Sequence, residues 1–168
     1  FEGMKDLTVS IFTLSKSYAM TGWRVGYVVA NKAIIDEMEK LMEHMVSGVT
    51  AVAQRAALAA ITGSQQCVAK MVERYAARRE IVFQGLNAID GISCLKPAST
   101  FYAFPNISSF GMSSWDFAKY LVKEHKVAVV PGTVFGENGE GFVRISFATS
   151  TRNLEEALKR IKRGVAQL

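Results

Sequence analysis

The fold of this chain is decided by one stretch near its start, which reads Thr13-Leu-Ser-Lys16-Ser-Tyr-Ala-Met-Thr-Gly-Trp-Arg24-Val-Gly-Tyr27. It places Lys16 between two serines at the end of an apolar run, and Arg24 follows beside two glycines. A neutral lysine amine attacks carbonyl carbons, and an arginine among hydroxyls can hold a phosphate through charge-assisted hydrogen bonds. These groups suit an aldehyde cofactor that carries a phosphate, such as pyridoxal phosphate. Lysine and arginine are also common on surfaces, so composition alone leaves two solvated charges as the alternative.

The full string resembles the lysine segment of the class I/II aminotransferases, the branch of fold type I pyridoxal-phosphate enzymes that holds aspartate, aromatic and alanine aminotransferases. The match covers Ser15, Lys16 and residues 18–27 almost position by position. The resemblance implies that Lys16 is the Schiff-base lysine and later moves the substrate proton. It also implies that Arg24 and the Thr13 hydroxyl hold the cofactor phosphate, with Ser15 in the same cofactor site. Many relatives carry serine where Thr13 stands, which keeps the hydroxyl.

A second arginine, Arg144, lies in the run Phe142-Val-Arg144-Ile-Ser-Phe147. Strand alternation places Phe142, Arg144 and Ser146 on one face. A guanidinium among apolar neighbours needs an anion, and arginine suits bidentate carboxylate binding. An internal salt bridge and an exposed sheet edge are the alternatives, and the residues alone leave the choice even. This run and the preceding Gly-x-x-Phe-Gly also resemble the aminotransferases, which implies that Arg144 binds the α-carboxylate of the substrate.

We expect an α/β fold that corresponds to the C-terminal part of a fold type I transferase. In the family the lysine lies past the middle of a much longer chain, whereas here it is residue 16. Residues 1–64 are therefore expected to be the C-terminal remnant of the large cofactor-binding domain. Residues 65–168 are expected to be the small α/β sandwich domain, entered by a long bridging helix.

Three parts of the family's cofactor site lie upstream of its lysine: the acid on the pyridine nitrogen, the aromatic stacked on the ring, and the polar groups on the phenolic oxygen. Only Glu2 and Asp6 are acids before Lys16, and neither has the family's surroundings. We therefore expect these 168 residues alone to bind cofactor poorly and not to turn over.

The first part of the chain predicts two strands and three helices. Apolar and β-branched runs predict a buried strand over residues 7–14 and a second strand over 23–30. Asn31 is expected to cap a helix over 32–46, whose methionines form an apolar stripe for core or interface packing. The remaining predictions here are a helix over 50–61 and a long helix over 65–89, with helical apolar spacing in both.

Strands and helices alternate after Gly91, which is typical of an α/β sandwich. Short strands are predicted over 92–95, 101–107 and 127–130, the middle one at an edge because Pro105 interrupts it. Ser114 is expected to cap a helix over 115–125. Asn153 and Glu156 are expected to form a capping box for a last helix over 154–167. The family usually has glycine before its Phe-Tyr pair, where Ser99 and Thr100 stand here.

Composition excludes several classes of protein. The net charge is +5, but the basic residues are scattered among acids, which argues against nucleic-acid binding. Cys67 and Cys94 are isolated, so neither a disulfide framework nor a metal site is indicated, and a cytoplasmic setting is the default. No signal peptide and no membrane-spanning run occur. His44 and His125 have no partners at ligand spacing and are expected to be ordinary helix residues.

Residues 47–57 also resemble the aminotransferases, in a segment that lies near the dimer interface, which implies a homodimer. No arginine occupies positions 46–53, where the aspartate-specific subgroup reads a second carboxylate. The resemblance implies transamination between an amino acid and a 2-oxo acid. A fold type I lyase acting on an amino acid, or a non-catalytic effector-binding domain, are the alternatives.

Overall fold

The computed structural model describes residues 3–168, so Glu2 lies outside the described residues. The chain forms two compact units, one ending at Met71 and the other spanning Val72–Leu168. The boundary falls inside the longest helix, α4 (Gln66–Asn87). The long helix expected over 65–89 is therefore confirmed, with an end two residues earlier than predicted.

The first unit contains a short helix, α1 (Met4–Leu7), and two strands, β1 (Ser10–Thr13) and β2 (Gly26–Val29). The strands are antiparallel, with Ser10 opposite Val29 and Thr13 opposite Gly26. Both are shorter than predicted, since Leu7 ends a helix and Trp23 ends a 3-10 turn.

The prediction that residues 7–14 form a buried strand is wrong. Ile11 is 75% exposed and Val29 is 56% exposed. Within residues 3–168 the two strands pair only with each other, and none of their residues is buried. An apolar run shows that a strand could be buried, but burial also requires other elements that pack against it.

Helix α2 (Lys32–Val46) begins and ends where predicted, and the Asn31 side chain accepts a 3.0 Å hydrogen bond from the Ala33 N–H. Its apolar stripe is not buried within the described chain, and Met45 is 77% exposed. Helix α3 (Ala51–Thr62) is capped by Thr50 and buries Ala53 and Ala57. These alanines pack with Leu14, Met20 and Val25 in a small core.

The second unit contains a three-stranded antiparallel sheet in the order β3 (Tyr102–Ala103), β5 (Val143–Ser146), β4 (Val130–Pro131). Helices α5 (Ser114–His125) and α6 (Thr151–Val165) complete it. Its core joins residues from the sheet, α4, α5 and α6, including Val82, Leu86, Ala103, Phe117, Leu121, Val143, Phe147, Leu154 and Ile161. The predicted α/β arrangement is confirmed, and β3 is at an edge as Pro105 indicated.

Several predicted boundaries in this unit are wrong. Residues 92–95 form only a single bridge, between Ser93 and Asn106, in place of a strand. Ser113, and not Ser114, caps α5, because its hydroxyl accepts the Asp116 N–H. The strands predicted over 101–107 and 127–130 shrink to two residues each.

The capping box predicted for the last helix is also wrong. Ser150 caps α6, and its Oγ accepts a 3.2 Å hydrogen bond from the Asn153 N–H. Asn153 lies inside the first turn, and the Glu156 carboxylate binds Arg160 instead of reaching backward. Serine is as favourable a cap as asparagine, and the extended backbone at Ser150 places the start of the helix there.

Candidate active site

The candidate site in the first unit is built where strands β1 and β2 end. The Leu14 N–H donates a 3.4 Å hydrogen bond to the Val25 carbonyl, which extends the ladder one residue beyond Thr13 and Gly26. Beyond this bond the two chains leave the ladder, Ser15 into a turn and Arg24 into a left-handed backbone. Gly26 permits the approach, because a Cβ at that position would overlap the Phe12 carbonyl oxygen.

The turn after β1 presents Lys16. The Thr13 hydroxyl donates to the Ser15 hydroxyl at 2.9 Å and accepts the Ser15 N–H at 3.2 Å. The Tyr18 N–H donates to the Leu14 carbonyl, and the Ala19 N–H donates to the Lys16 carbonyl, so the turn is hydrogen-bonded on both sides of the lysine. The Ser15 side chain is buried, whereas Lys16 is exposed.

Arg24 has an unusual backbone for an arginine, with φ 51° in the left-handed region. Non-glycine residues in that region cost free energy and are concentrated at functional sites. Its Nη1 donates a 3.0 Å hydrogen bond to the Thr21 carbonyl. Of the ion pairs formed within residues 3–168, none involves Arg24 or Lys16. Both groups therefore remain available to an anion or a carbonyl compound.

A cavity of about 510 Å³ lies beside Arg24, between the turn that carries it and the start of α3. Its lining includes Gly22, Trp23, Val49, Thr50 and Ala53. Lys16 does not line it, so within the described chain the lysine and the arginine do not share a closed hollow.

A contact that the sequence did not indicate fixes the lysine turn to the end of α3. The Tyr18 hydroxyl donates a 2.9 Å hydrogen bond to Gln65 Oε1. The Gln65 amide in turn donates to the Ala60 and Gly63 carbonyls. Gln65 thereby satisfies carbonyls at the helix end while it holds Tyr18.

Arg144 belongs to the second unit, on the central strand β5. Its guanidinium carbon lies 4.3 Å from the centre of the Tyr102 ring and 4.6 Å from the centre of the Phe135 ring. No carboxylate of residues 3–168 pairs with it. The structure therefore excludes, within the described chain, both an internal salt bridge and a sheet edge as explanations of this arginine.

Sequence reasoning missed Tyr102 and Phe135 as neighbours of Arg144. Tyr102 pairs with Ser146 across the sheet, so its ring lies diagonal to Arg144. Phe135 ends a 3-10 turn, Gly132–Phe135, just after β4. The signal for Tyr102 was present in strand alternation, whereas nothing in the sequence showed that the loop returns Phe135 to this face.

The described residues contain no group of three or more histidine, cysteine, aspartate and glutamate side chains placed to hold a metal ion. Within the same range, no helix combines the length and the apolar character needed to cross a lipid bilayer.

Comparison with known proteins gives the family of this chain. Residues 2–161 match the family described as aminotransferase class I and II. The chain is 48% identical over 161 residues to the YugH protein of Bacillus subtilis, a match that covers 96% of this chain and 42% of that protein. It is 42% identical over 160 residues to an aspartate aminotransferase of Pyrococcus horikoshii, covering 94% of this chain and 41% of that enzyme. The chain belongs to the class I and II aminotransferase family.

Solved structures agree with this assignment. An aromatic aminotransferase from Pyrococcus horikoshii superposes with a TM-score of 0.94 at 39% identity, over 99% of this chain and 45% of the other. An aspartate aminotransferase from Rhizobium meliloti gives a TM-score of 0.94 at 36% identity, over 100% of this chain and 44% of the other. The chain thus spans about two fifths of the length of its curated relatives, and matches their C-terminal portion. The predicted fold, the C-terminal part of a fold type I enzyme, is confirmed.

Members of this family use pyridoxal phosphate. The residue types near the paired ends of β1 and β2 suit that cofactor, because a guanidinium, two hydroxyls and a lysine amine are all carried by the end of β1 and the segment that leads from it to β2. Neither cation of this set takes part in an ion pair within residues 3–168.

Proposed function

We propose that this chain carries the lysine and the two arginines of a pyridoxal-phosphate-dependent aminotransferase. The observation that carries the proposal is the pairing of β1 with β2, which brings the Lys16 turn to the strand end that bears Arg24. The substrates are an amino acid and a 2-oxo acid. One amino acid leaves as its 2-oxo acid, and a second 2-oxo acid leaves as the amino acid.

In this proposal Arg24, Thr13 and Ser15 hold the cofactor. The Arg24 guanidinium donates paired hydrogen bonds to phosphate oxygens, and the Thr13 hydroxyl donates a further one once its proton turns away from Ser15 Oγ, its acceptor in this structure. The buried Ser15 hydroxyl can then donate its own proton to Thr13 Oγ1 across the same 2.9 Å contact. The left-handed backbone at Arg24 fits this role, since strain of that kind persists where a side chain is needed in one place.

Lys16 performs the proton transfer. The bound cofactor supplies an aldehyde that reacts with amines and a ring that withdraws electrons from the substrate α-carbon. Lys16 is the residue that would hold the cofactor through its amine. With substrate bound, the Lys16 amine would remove the proton from the substrate α-carbon, as a general base held on a hydrogen-bonded turn. Arg144 is assigned to the α-carboxylate of the substrate, since its guanidinium has no acid partner within residues 3–168.

Reductive trapping tests the role of Lys16. The full-length gene product is mixed with pyridoxal phosphate and treated with borohydride, and its peptides are mapped by mass spectrometry. We expect the cofactor mass on the peptide that contains Lys16, and its loss in Lys16→Arg. Lys70→Arg is the matched control, because Lys70 is also an exposed lysine of the first unit. Label on other lysines with none on Lys16 would overturn the proposal.

Dependence on an amino acceptor separates transamination from elimination. With a panel of amino acids, product formation should require an added 2-oxo acid and should release no free ammonia. Steady ammonia release without an acceptor would instead identify a lyase that uses the same three side chains. Absence of any reaction by the full-length protein, despite trapped cofactor, would favour a binding domain.

The same proposal includes a homodimer in the cytoplasm. Exposed apolar side chains on α2, among them Leu41, Met45 and Val46, support a protein surface that covers this face. Cys67 and Cys94 are both free, which suits a reducing compartment. Sedimentation of the full-length protein tests the homodimer, and cell fractionation tests the location. A monomer or a membrane-bound protein would refute these statements.

The domain boundary between residues 64 and 65 stays a prediction.

A further inference from the structure

The guanidinium of Arg144 lies close to two aromatic rings. Tyr102 contacts it at 4.3 Å and Phe135 at 4.6 Å, both measured from the guanidinium carbon to the ring centre. A planar cation in contact with two ring faces is restrained in orientation, because moving it away from either ring loses a favourable cation–π contact. Within residues 3–168 the guanidinium N–H groups of Arg144 donate no side-chain hydrogen bond, and no acid pairs with this guanidinium.

The two rings come from opposite sides of the central strand. Tyr102 is on β3 and pairs with Ser146, two residues along β5 from Arg144. On the other side, Val130 of β4 pairs directly with Arg144, and Phe135 follows after one 3-10 turn. Gly136 comes next with φ 126°, a backbone that side chains rarely adopt, and so lets the chain turn away directly after the ring.

The loop that carries Phe135 is held at several points. The backbones of Gly132 and Gly139 touch, since a Cβ on either would overlap the carbonyl oxygen of the other. The Gly132 N–H donates to the Phe142 carbonyl at 2.9 Å. The Glu140 carboxylate accepts a 2.7 Å hydrogen bond from the N–H of Ser114 at the start of α5. These contacts restrain the loop and therefore the position of Phe135.

We propose that Tyr102 and Phe135 are positioning residues that orient the Arg144 fork for a carboxylate, a proposal that rests on the function proposed above. Arginine binds a carboxylate best when two of its N–H groups lie in the carboxylate plane. Rings that cover the guanidinium leave its in-plane edge as the route for an anion. They also fix the rotamer before the ligand arrives, so less side-chain entropy is lost on binding.

The test measures carboxylate binding directly on the full-length protein. Arginine is labelled with ¹⁵N, and the Arg144 Nε–H resonance is assigned by its loss in Arg144→Lys. Butyrate is the carboxylate probe, and butyramide is the neutral probe of the same shape. We expect butyrate to shift this resonance with a dissociation constant that rises about fivefold in Tyr102→Leu and in Phe135→Leu, whereas binding of butyramide does not change.

Two variants separate positioning from general stability. Tyr102→Phe keeps the ring and should bind butyrate within about twofold of the parent. Phe83→Leu removes an aromatic ring of the same unit that contacts another cation, Lys96, and not Arg144, and should leave butyrate binding unchanged. Equal losses of affinity for butyrate and for butyramide would overturn the proposal. Unchanged butyrate binding in both leucine variants would do the same. If a leucine variant fails to fold, Phe135→Trp and Tyr102→Phe keep a ring in place and must retain butyrate binding.

The readout is independent of the cofactor. If Lys16 is not trapped by borohydride but butyrate binding follows the ring series, the aminotransferase proposal fails and the positioning role stands. If Lys16 is trapped and butyrate does not move the Arg144 resonance, the positioning role fails alone.

Discussion

The Glu140 carboxylate is bound at the start of α5, where its Oε1 accepts a 2.7 Å hydrogen bond from the Ser114 N–H and its Oε2 accepts a 3.1 Å bond from the Ser114 hydroxyl. Ser114 is fully buried. The backbone N–H groups of Ser114 and Gly141 stabilise the ionised form, and they hold the pKa of the Glu140 carboxyl below its ordinary value of 4.5. This pair connects the loop that bears Phe135 to a helix of the core.

Glu140→Gln should lower the thermal stability of the protein in a manner that depends on pH. Because the pKa is lower in the folded state, the carboxylate contributes stability above pH 4.5, and that contribution is lost as the pH falls through the folded pKa. We therefore expect the variant to melt below the parent at pH 7 and to converge with it in acid. Glu137→Gln, which makes the same charge change three residues away, should show no such convergence. Parallel melting curves for Glu140→Gln and the parent at every pH would contradict this prediction.

Thr100 has a left-handed backbone, with φ 68°. A β-branched residue in that region is strained by about 1 kcal/mol or more. The exposed hydrogen bond from the Tyr102 N–H to Thr100 Oγ1, at 3.2 Å, offsets only part of that cost. Thr100→Gly should stabilise the protein by about 1 kcal/mol in urea unfolding, whereas Thr100→Ala keeps the strain, loses the bond and should not stabilise. A less stable glycine variant would show that the hydrogen bond outweighs the backbone strain.

The cap of α6 gives a direct test of where that helix begins. Ser150→Ala should cost about 1 kcal/mol, because the Asn153 N–H loses its acceptor. Asn153→Ala should cost only a few tenths, since its side chain makes one exposed bond to Thr149. The two unfolding free energies are compared by denaturant titration. If Asn153→Ala were the more damaging change, the helix would begin where the sequence suggested.

Arg24→Lys should raise the dissociation constant of pyridoxal phosphate about tenfold or more. Lysine keeps the charge but cannot donate two parallel hydrogen bonds to a phosphate, and each charge-assisted bond contributes about 1.5–3 kcal/mol. Equilibrium dialysis of the full-length protein measures the change. Arg55→Lys on α3 is the control and should bind as the parent does. Cofactor affinity that is equal in Arg24→Lys and the parent would remove Arg24 from the phosphate site.

The helices could be predicted closely from the sequence because their signals are local. Asn31 and the apolar spacing after it gave both ends of α2, and Thr50 gave the start of α3. Strand lengths were overestimated, since a ladder also needs partners. The run over residues 7–14 has strand composition along its whole length, yet only four residues find a partner strand.

The candidate site shows the same difference between local and long-range signals. Lys16, Arg24 and Arg144 could be singled out because their motifs are contiguous in sequence. The groups that hold them could not, since Gln65 reaches Tyr18 across 47 positions and Phe135 reaches Arg144 through a loop. Contacts of that kind depend on the path of the backbone, which no local pattern specifies.

The left-handed backbone of Arg24 has a consequence for protein engineering. Glycine would adopt φ 51° without a Cβ penalty, so Arg24→Gly relaxes the chain by about 1 kcal/mol while it removes the guanidinium. A laboratory evolution campaign that rewarded heat resistance alone would accordingly drift toward glycine here, and one that rewarded turnover would retain arginine. The residue that each selection retains would show whether stability or turnover depends more on position 24.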